Sequence, residues 1–493
     1  MKRGAGILLP IFSLPSKYGI GTFGSKAKEF VRFLNKSNVK YWQILPLNPT
    51  SYGDSPYQSF SAFALNPYFI DLDTLIKKGY LTKADVKELD KPYTEWVEYG
   101  FQYETRFPIL KKAYLNAYKD KAVVAEVEKF AKENESWVND YAAFMVIKYL
   151  NNGSSYQDWQ DDALRKHDNA AVAKVVKDNL SDYNFWIFLQ YEAFNQYVEL
   201  KEYANKKGVS IVGDIPIYVA LDSADVWANP QEFCLDDDLR PTLVAGVPPD
   251  YFSADGQLWG NPLYNYNHMK EDGFSWWIKR VSHCQKLYDL LRIDHFRGMA
   301  SYYTIPFGSP NARIGQWVEG PKMDLVRAIQ KGANGMEIIA EDLGFLTDDV
   351  VELKKESGWP GLKIFEFGFD GADYNNEHLP RFWTKDCVAY IGTHDNDTMC
   401  GYIDSHRDLI PFMKSILNVQ NDEEIPDAII RNLFVSEPEL VLCTMQDLLK
   451  QDTYHRINTP GTLGTNWKVR LPKDYASETV IEQLKGLIAE SNR

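Results

Sequence analysis

The sequence predicts an α/β chain closed into a (β/α)8 TIM barrel, and three observations carry that prediction. Eight short apolar runs, at residues 5–9, 41–45, 209–213, 290–293, 336–340, 362–365, 388–391 and 440–444, each end in polar residues or glycine. Helical patterns separate them, and repeated strand–helix alternation is the signature of this fold. The alternative, an open doubly wound sheet, would carry a G-x-G-x-x-G turn or a Walker loop, and the chain has neither.

The first run follows Lys2 and Arg3, as an export signal would. Pro10 and Pro15 interrupt it and no A-x-A cleavage site follows, so it reads as a buried strand. Several runs are almost continuously apolar, as parallel strands covered on both faces are. The wide gap between the second and third strands marks an insertion at 48–208. Trp137, Tyr141, Phe144, Met145 and Lys148 recur there at helical spacing, so it should be mainly helical. A smaller insertion, 216–273, follows the third strand. Trp277, Val281, Cys284 and Tyr288 mark one face of the helix before the fourth strand. Beyond the fifth, Thr347 is placed to cap a helix, with Asp348 and Asp349 in its first turn and Lys354, Lys355 and Gly358 at its end. Few residues follow the eighth strand. With no internal repeat, 1–493 reads as one decorated barrel.

Composition narrows the function. The 493 residues are 45% hydrophobic and 25% charged, which fits a globular chain. A net charge of −14 disfavours nucleic acid and anionic membrane as partners. No apolar run is long enough to span a bilayer. The five cysteines are scattered, without a CxxC pair, which suggests a reduced, cytoplasmic protein. Aromatic residues reach 14%, enough to line a groove for a ligand with flat apolar faces.

Chemistry in a barrel sits at the C-terminal ends of its strands. Those ends supply Asp214 (third), Asp294 (fourth), Glu341 (fifth) and Asp395 (seventh). Two carboxyls astride a bond are the equipment of glycoside chemistry, one attacking and one kept protonated. Arg292 shares a strand face with Asp294 and would hold it ionised, whereas Glu341 follows the apolar Ile338-Ile339-Ala340. Each residue also has a plainer reading. Asp214 alone serves equally well as a strand end bonding a backbone amide. His394 alone could be a satisfied core histidine. Tyr57 and Trp259 could be core rings, although both lie among Gly, Pro, Ser and Asn, as binding loops do. The string from His394 to Asp397 lacks the glycine and distal Glu of a calcium loop, so no metal is expected there.

Longer strings carry a resemblance. They include GILLPIFSLPSKYGIGTFG near the start, YGDSPYQSFSAFALNPY at 52–68 and GDIPIYV at 213–219. PPDYFSADGQLWGNPLY follows at 248–264, RIDHFRG at 292–298 and AEDLG at 340–344. GTHDNDT at 392–398 and NTPGTLGTNW at 458–467 complete the set. Nearly end to end, the chain resembles the 4-α-glucanotransferases, or amylomaltases, of the α-amylase clan. The resemblance implies a barrel with insertions and no C-terminal β-sandwich, and the few residues after the eighth strand agree; the chain departs from the family pattern at Ala254-Asp255-Gly256.

The resemblance implies Asp294 as nucleophile, Glu341 as general acid/base and Asp395 as transition-state stabiliser. It implies that Arg292, His394 and Asp214 bind the sugar at the cleavage point, with Tyr57 stacked beneath. His295 would serve the acceptor side. Gln257 and Trp259 would lie on an active-site loop of the 216–273 insertion closing over the glucan, Asn466 on another, and Tyr52 near a second glucan site. The aromatic loop around Tyr251, Phe252 and Trp259 would exclude water. The expected reaction moves a segment of an α-1,4-glucan to the 4-hydroxyl of glucose or another glucan, with maltooligosaccharides as donor and acceptor and no cofactor or metal. Two alternatives stay open: an α-1,4-glucan hydrolase of the same clan, and an inactive glucan-binding barrel.

Overall fold

The computed structural model describes residues 1–51, 53–249, 253–344 and 346–493. Eight parallel strands form its central sheet. In chain order they are Gly4–Leu8, Tyr41–Gln43, Ser210–Pro216, Leu290–Asp294, Glu337–Ala340, Gly361–Ile364, Cys387–Tyr390 and Leu440–Thr444. Sequence neighbours in this set pair, except the fifth with the sixth, and the first also pairs with the eighth. The remaining seam lies between the fifth and sixth strands. There the Ala340 N–H donates to Pro360 O at 2.9 Å, bringing the two together as a barrel requires.

The eight predicted runs all appear as strands, with ends displaced by a few residues. Their apolar residues explain why. Leu291 and Ile293 of the fourth strand and Ile338, Ile339 and Ala340 around the fifth are buried between sheet and helices. At Gly213 a side chain is impossible without rearrangement, because a Cβ would lie 2.2 Å from the Tyr288 ring. This close packing seats the strand segment that carries Asp214.

Helices Tyr99–Ala117, Lys121–Glu133 and Val138–Leu150 lie between the second and third strands. The long helix Leu180–Lys206 then packs on the third strand and on helix Ser25–Lys36. Lys148 is buried and pairs with Asp222 at 2.5 Å. Thr347 does occupy the N-cap position of helix Asp348–Ser357, but its hydroxyl makes no capping bond. It instead lies 3.5 Å from the Arg297 guanidinium.

One element escaped the sequence reading. A four-stranded antiparallel sheet runs Gln257–Pro262, Leu243–Val247, Ser301–Pro306, Gln316–Glu319. Its first two strands come from the insertion after the third barrel strand, its last two from the segment after the fourth. Gln257 and Trp259 therefore sit on an edge strand, where a loop was expected. Asp255, in the stretch that departs from the family pattern, ties this sheet's turn to the next segment. Arg313 Nε donates to it at 2.6 Å, and the Ala312 N–H donates to its carbonyl at 3.0 Å.

Candidate active site

Strand alternation places Arg292 and Asp294 on the same face of the fourth strand. The Arg292 guanidinium donates to Asp294 Oδ1 at 2.8 Å. Its other nitrogen donates to both oxygens of Asp214, each at 2.8 Å. Burial alone would depress the Arg292 charge, but the two carboxylates outweigh it and raise its pKa.

Glu341 follows the fifth strand and is tied to the fourth by three backbone-anchored bonds. The Glu341 N–H donates to Ile293 O at 3.1 Å, and the Phe296 N–H donates to Glu341 O at 2.9 Å. The His295 N–H donates to Glu341 Oε2 at 2.7 Å. Desolvation, reinforced by the nearby Asp294 charge, pushes the Glu341 carboxyl up to about 8.

Asp395 is set from the opposite side. Asn458 Nδ2 donates to its Oδ1 at 2.6 Å, and Arg456 donates to its carbonyl at 2.5 Å. His394 Nε2 lies 3.4 Å from the same Oδ1. Tyr57 joins the groups: its hydroxyl donates to Asp214 Oδ2 at 2.8 Å, and its ring stacks on His394 at 5.2 Å. Burial raises the Tyr57 pKa well above its ordinary value, and the charges of Asp214, Asp294 and Asp395 add to the rise. One phenol thus senses acids from three strands.

Exposure separates the roles. Asp294 and Asp395 keep 30% and 43% of their side chains accessible, and Glu341 is also partly open. Asp214 is fully buried, with both oxygens taken by Arg292 and Tyr57. In this structure Asp214 meets Arg292 and Tyr57, so its expected contact with sugar would have to use the one lone pair of Oδ1 that neither of them takes. Arg292 and His394 are buried too.

The other expected residues divide. The Trp259 ring meets His295 edge-on at 4.8 Å, and its indole N–H donates to Gln257 Oε1 at 3.1 Å. These three form one wall beside Asp294. Burial lowers the His295 pKa to about 4, which keeps that wall neutral. Asn466 is different: its amide is engaged inside its own loop, with Thr459 and Thr462. Its neighbour Trp467, missed in the sequence, packs near both Tyr57 and His394, at 5.8 and 5.9 Å. Asn458 was missed as well, although it opens the NTPGTLGTNW string. Tyr52, Tyr251 and Phe252 lie outside the described residues.

A closed barrel with three partly open carboxyls at its C-terminal rim, one of them raised toward neutrality, defines an enzyme of the carboxylate, glycoside-active class. Comparison with known proteins makes this specific. The family model described as 4-alpha-glucanotransferase matches residues 9–476. The chain belongs to that family. It is 47% identical to the 4-alpha-glucanotransferase of Clostridium butyricum over 466 residues, covering 93% of this chain and 94% of that one. The amylomaltase of Streptococcus agalactiae, solved in complex with acarbose, superposes with a TM-score of 0.97 at 40% identity and full coverage of both chains. An α-amylase from Geobacillus thermoleovorans shares the fold alone, with a TM-score of 0.52 at 8% identity over 99% of this chain and 79% of that one.

Proposed function

We propose that this enzyme disproportionates maltooligosaccharides by retaining double displacement, with Asp294 as nucleophile, Glu341 as acid/base and Asp395 as stabiliser. Asp294 attacks the anomeric carbon of an α-1,4-glucan while Glu341 protonates the departing 4-oxygen. A covalent glucosyl-enzyme forms and the shortened glucan leaves. Glu341, now a base, takes the proton from the 4-hydroxyl of a second glucan, which receives the chain. Asp395 balances the positive charge of the oxocarbenium-like transition states.

The single observation that carries this assignment is the raised Glu341 carboxyl held by the backbone next to Asp294. An acid that releases its proton near neutrality suits a group that must give and take it within one cycle. Asp214 then acts through Arg292 and Tyr57, and Asn458 through Asp395. The Gln257–Trp259–His295 wall is assigned to the acceptor side, and Asn466 to bracing the loop that presents Trp467. A single catalytic barrel decorated by the 48–208 and 216–273 insertions is part of the same reading.

A cytoplasmic setting rests on the unpaired cysteines. Among the described residues, no helix is long and apolar enough to cross a membrane.

Incubation with maltotriose tests the reaction. Constant reducing ends with free glucose and a ladder of longer oligomers is the expected result. Rising reducing ends would replace transfer by hydrolysis, and no turnover would leave a glucan-binding barrel.

A further inference from the structure

The insertion after the third strand brings together a second set of ligating side chains, none of them among the three acids. Glu232 ends the 3-10 turn Pro230–Glu232. His268 lies on helix Tyr266–Glu271, and Asp272 follows as its C-cap, one turn further on. One ligand atom from each residue lies within 4.8 Å of the other two. Among the described residues this is the one such cluster of three His, Cys, Asp or Glu.

The link between turn and helix needs neither the Glu232 nor the His268 side chain, while the Asp272 carboxylate accepts the Ser275 N–H at 3.2 Å and the Ser275 hydroxyl. The Asn265 N–H donates to Glu232 O at 2.8 Å, and the Asn265 side chain caps the helix by accepting the His268 N–H at 3.2 Å. Turn and helix are thus already joined by backbone-anchored bonds, which hold the three residues near one point.

A second observation concerns Glu232 itself. It is only 5% exposed, and its Oε2 is buried and accepts no hydrogen bond from the described residues. A buried carboxylate oxygen without a partner is costly and calls for a cation or a proton. The nearby lysines are engaged elsewhere. Lys279 donates to Ser136 O, and Lys270 pairs with Asp324 at 2.7 Å. The Gln231 side chain bonds the Glu232 carboxylate, and the remaining cationic neighbour is His268, whose Nε2 stands 3.8 Å from Glu232 Oε1. That is too long for a hydrogen bond. It is close to the separation of two ligands on one tetrahedral ion, roughly 3.3–3.6 Å for bonds of zinc length.

We propose that Glu232, His268 and Asp272 form a binding site for a divalent first-row transition ion, with zinc the best fit. The imidazole argues against calcium or magnesium, which take oxygen donors. Two carboxylates supply the charge, and the exposure of Asp272 leaves room for water to complete the shell. The ion would join residue 232 to residues 268–272. Strands Leu243–Val247 and Gln257–Pro262 lie between these points in the chain. The bound ion would therefore clamp the base of the segment that carries Gln257 and Trp259, without entering the reaction.

Titrating Zn2+ alone into the full-length, chelator-stripped protein by calorimetry tests this. One saturable equivalent is expected, together with a zinc-dependent rise in the thermal midpoint. His268→Ala and Asp272→Asn should each weaken binding by about 100-fold or more and abolish the rise. Asp272 is exposed, so its variant keeps the test valid should the other fold poorly. Absence of a saturable equivalent in the unmodified protein, or an equivalent that survives both substitutions, would overturn the proposal.

Discussion

The backbone N–H of His295 donates to Glu341 Oε2 at 2.7 Å, so the residue after the proposed nucleophile holds the proposed acid/base. His295 takes φ +59°, a left-handed conformation that favours glycine. That turn lies at the end of the fourth strand, where the chain aims its amide at the fifth. Backbone strain at such a point is stored where the geometry of two reacting groups must be fixed.

The raised Glu341 carboxyl sets a pH limit. Transfer needs its proton in the first step, so kcat/KM should fall on the alkaline side near pH 8. The stability sign follows from the same rise. The folded state keeps this proton where the unfolded chain gives it up, so the group's contribution is complete below the ordinary glutamate range. It is lost as pH rises to about 8, and flat above. A pH–rate profile with no alkaline limb in that region would contradict the assignment.

Asp294→Asn should remove turnover by about 10^4-fold or more while glucan binding persists. One Arg292 nitrogen keeps both of its contacts to Asp214 in this variant, so the site should stay assembled. Single-turnover kinetics beside equilibrium binding of acarbose would read both effects. Retained turnover would move the nucleophile to another residue.

Asn458 is expected to position Asp395. Its amide donates to Oδ1 at 2.6 Å, and a hydrogen bond to a charged group is worth about 1.5–3 kcal/mol. Asn458→Ala should therefore lower kcat by roughly 10- to 100-fold with little change in KM. An effect confined to KM would place Asn458 in glucan binding instead.

Asp214→Ala should unfold more readily, by about 3–5 kcal/mol, because it leaves the buried Arg292 guanidinium short of a partner. Urea denaturation measures this. A fully stable variant with a raised KM alone would favour the direct sugar contact that the resemblance implies.

Local patterns made the barrel and its acids legible. Continuous apolar runs mark parallel strands, and the alternation of faces along a strand places Arg292 and Asp294 together. The antiparallel sheet was not legible, because Leu243–Val247 pairs with Ser301–Pro306 across an entire barrel unit and no turn connects them. The sealing of Asp214 was equally hidden. Its burial depends on Tyr57, which reaches it from the loop after the second strand. Asn458 and Trp467 lay inside a recognised string, but their partners are distant in the chain. Sequence spacing gives no measure of such contacts.

The central claim is a covalent glucosyl bond to Asp294, and mass spectrometry of a trapped intermediate tests it most directly. A Glu341→Gln variant given an α-maltosyl fluoride retains an activated leaving group but lacks the base for the second step. The account predicts a maltosyl addition on the peptide containing Asp294, at that residue. Addition at a different carboxyl, or release of inverted maltose without any adduct, would contradict it.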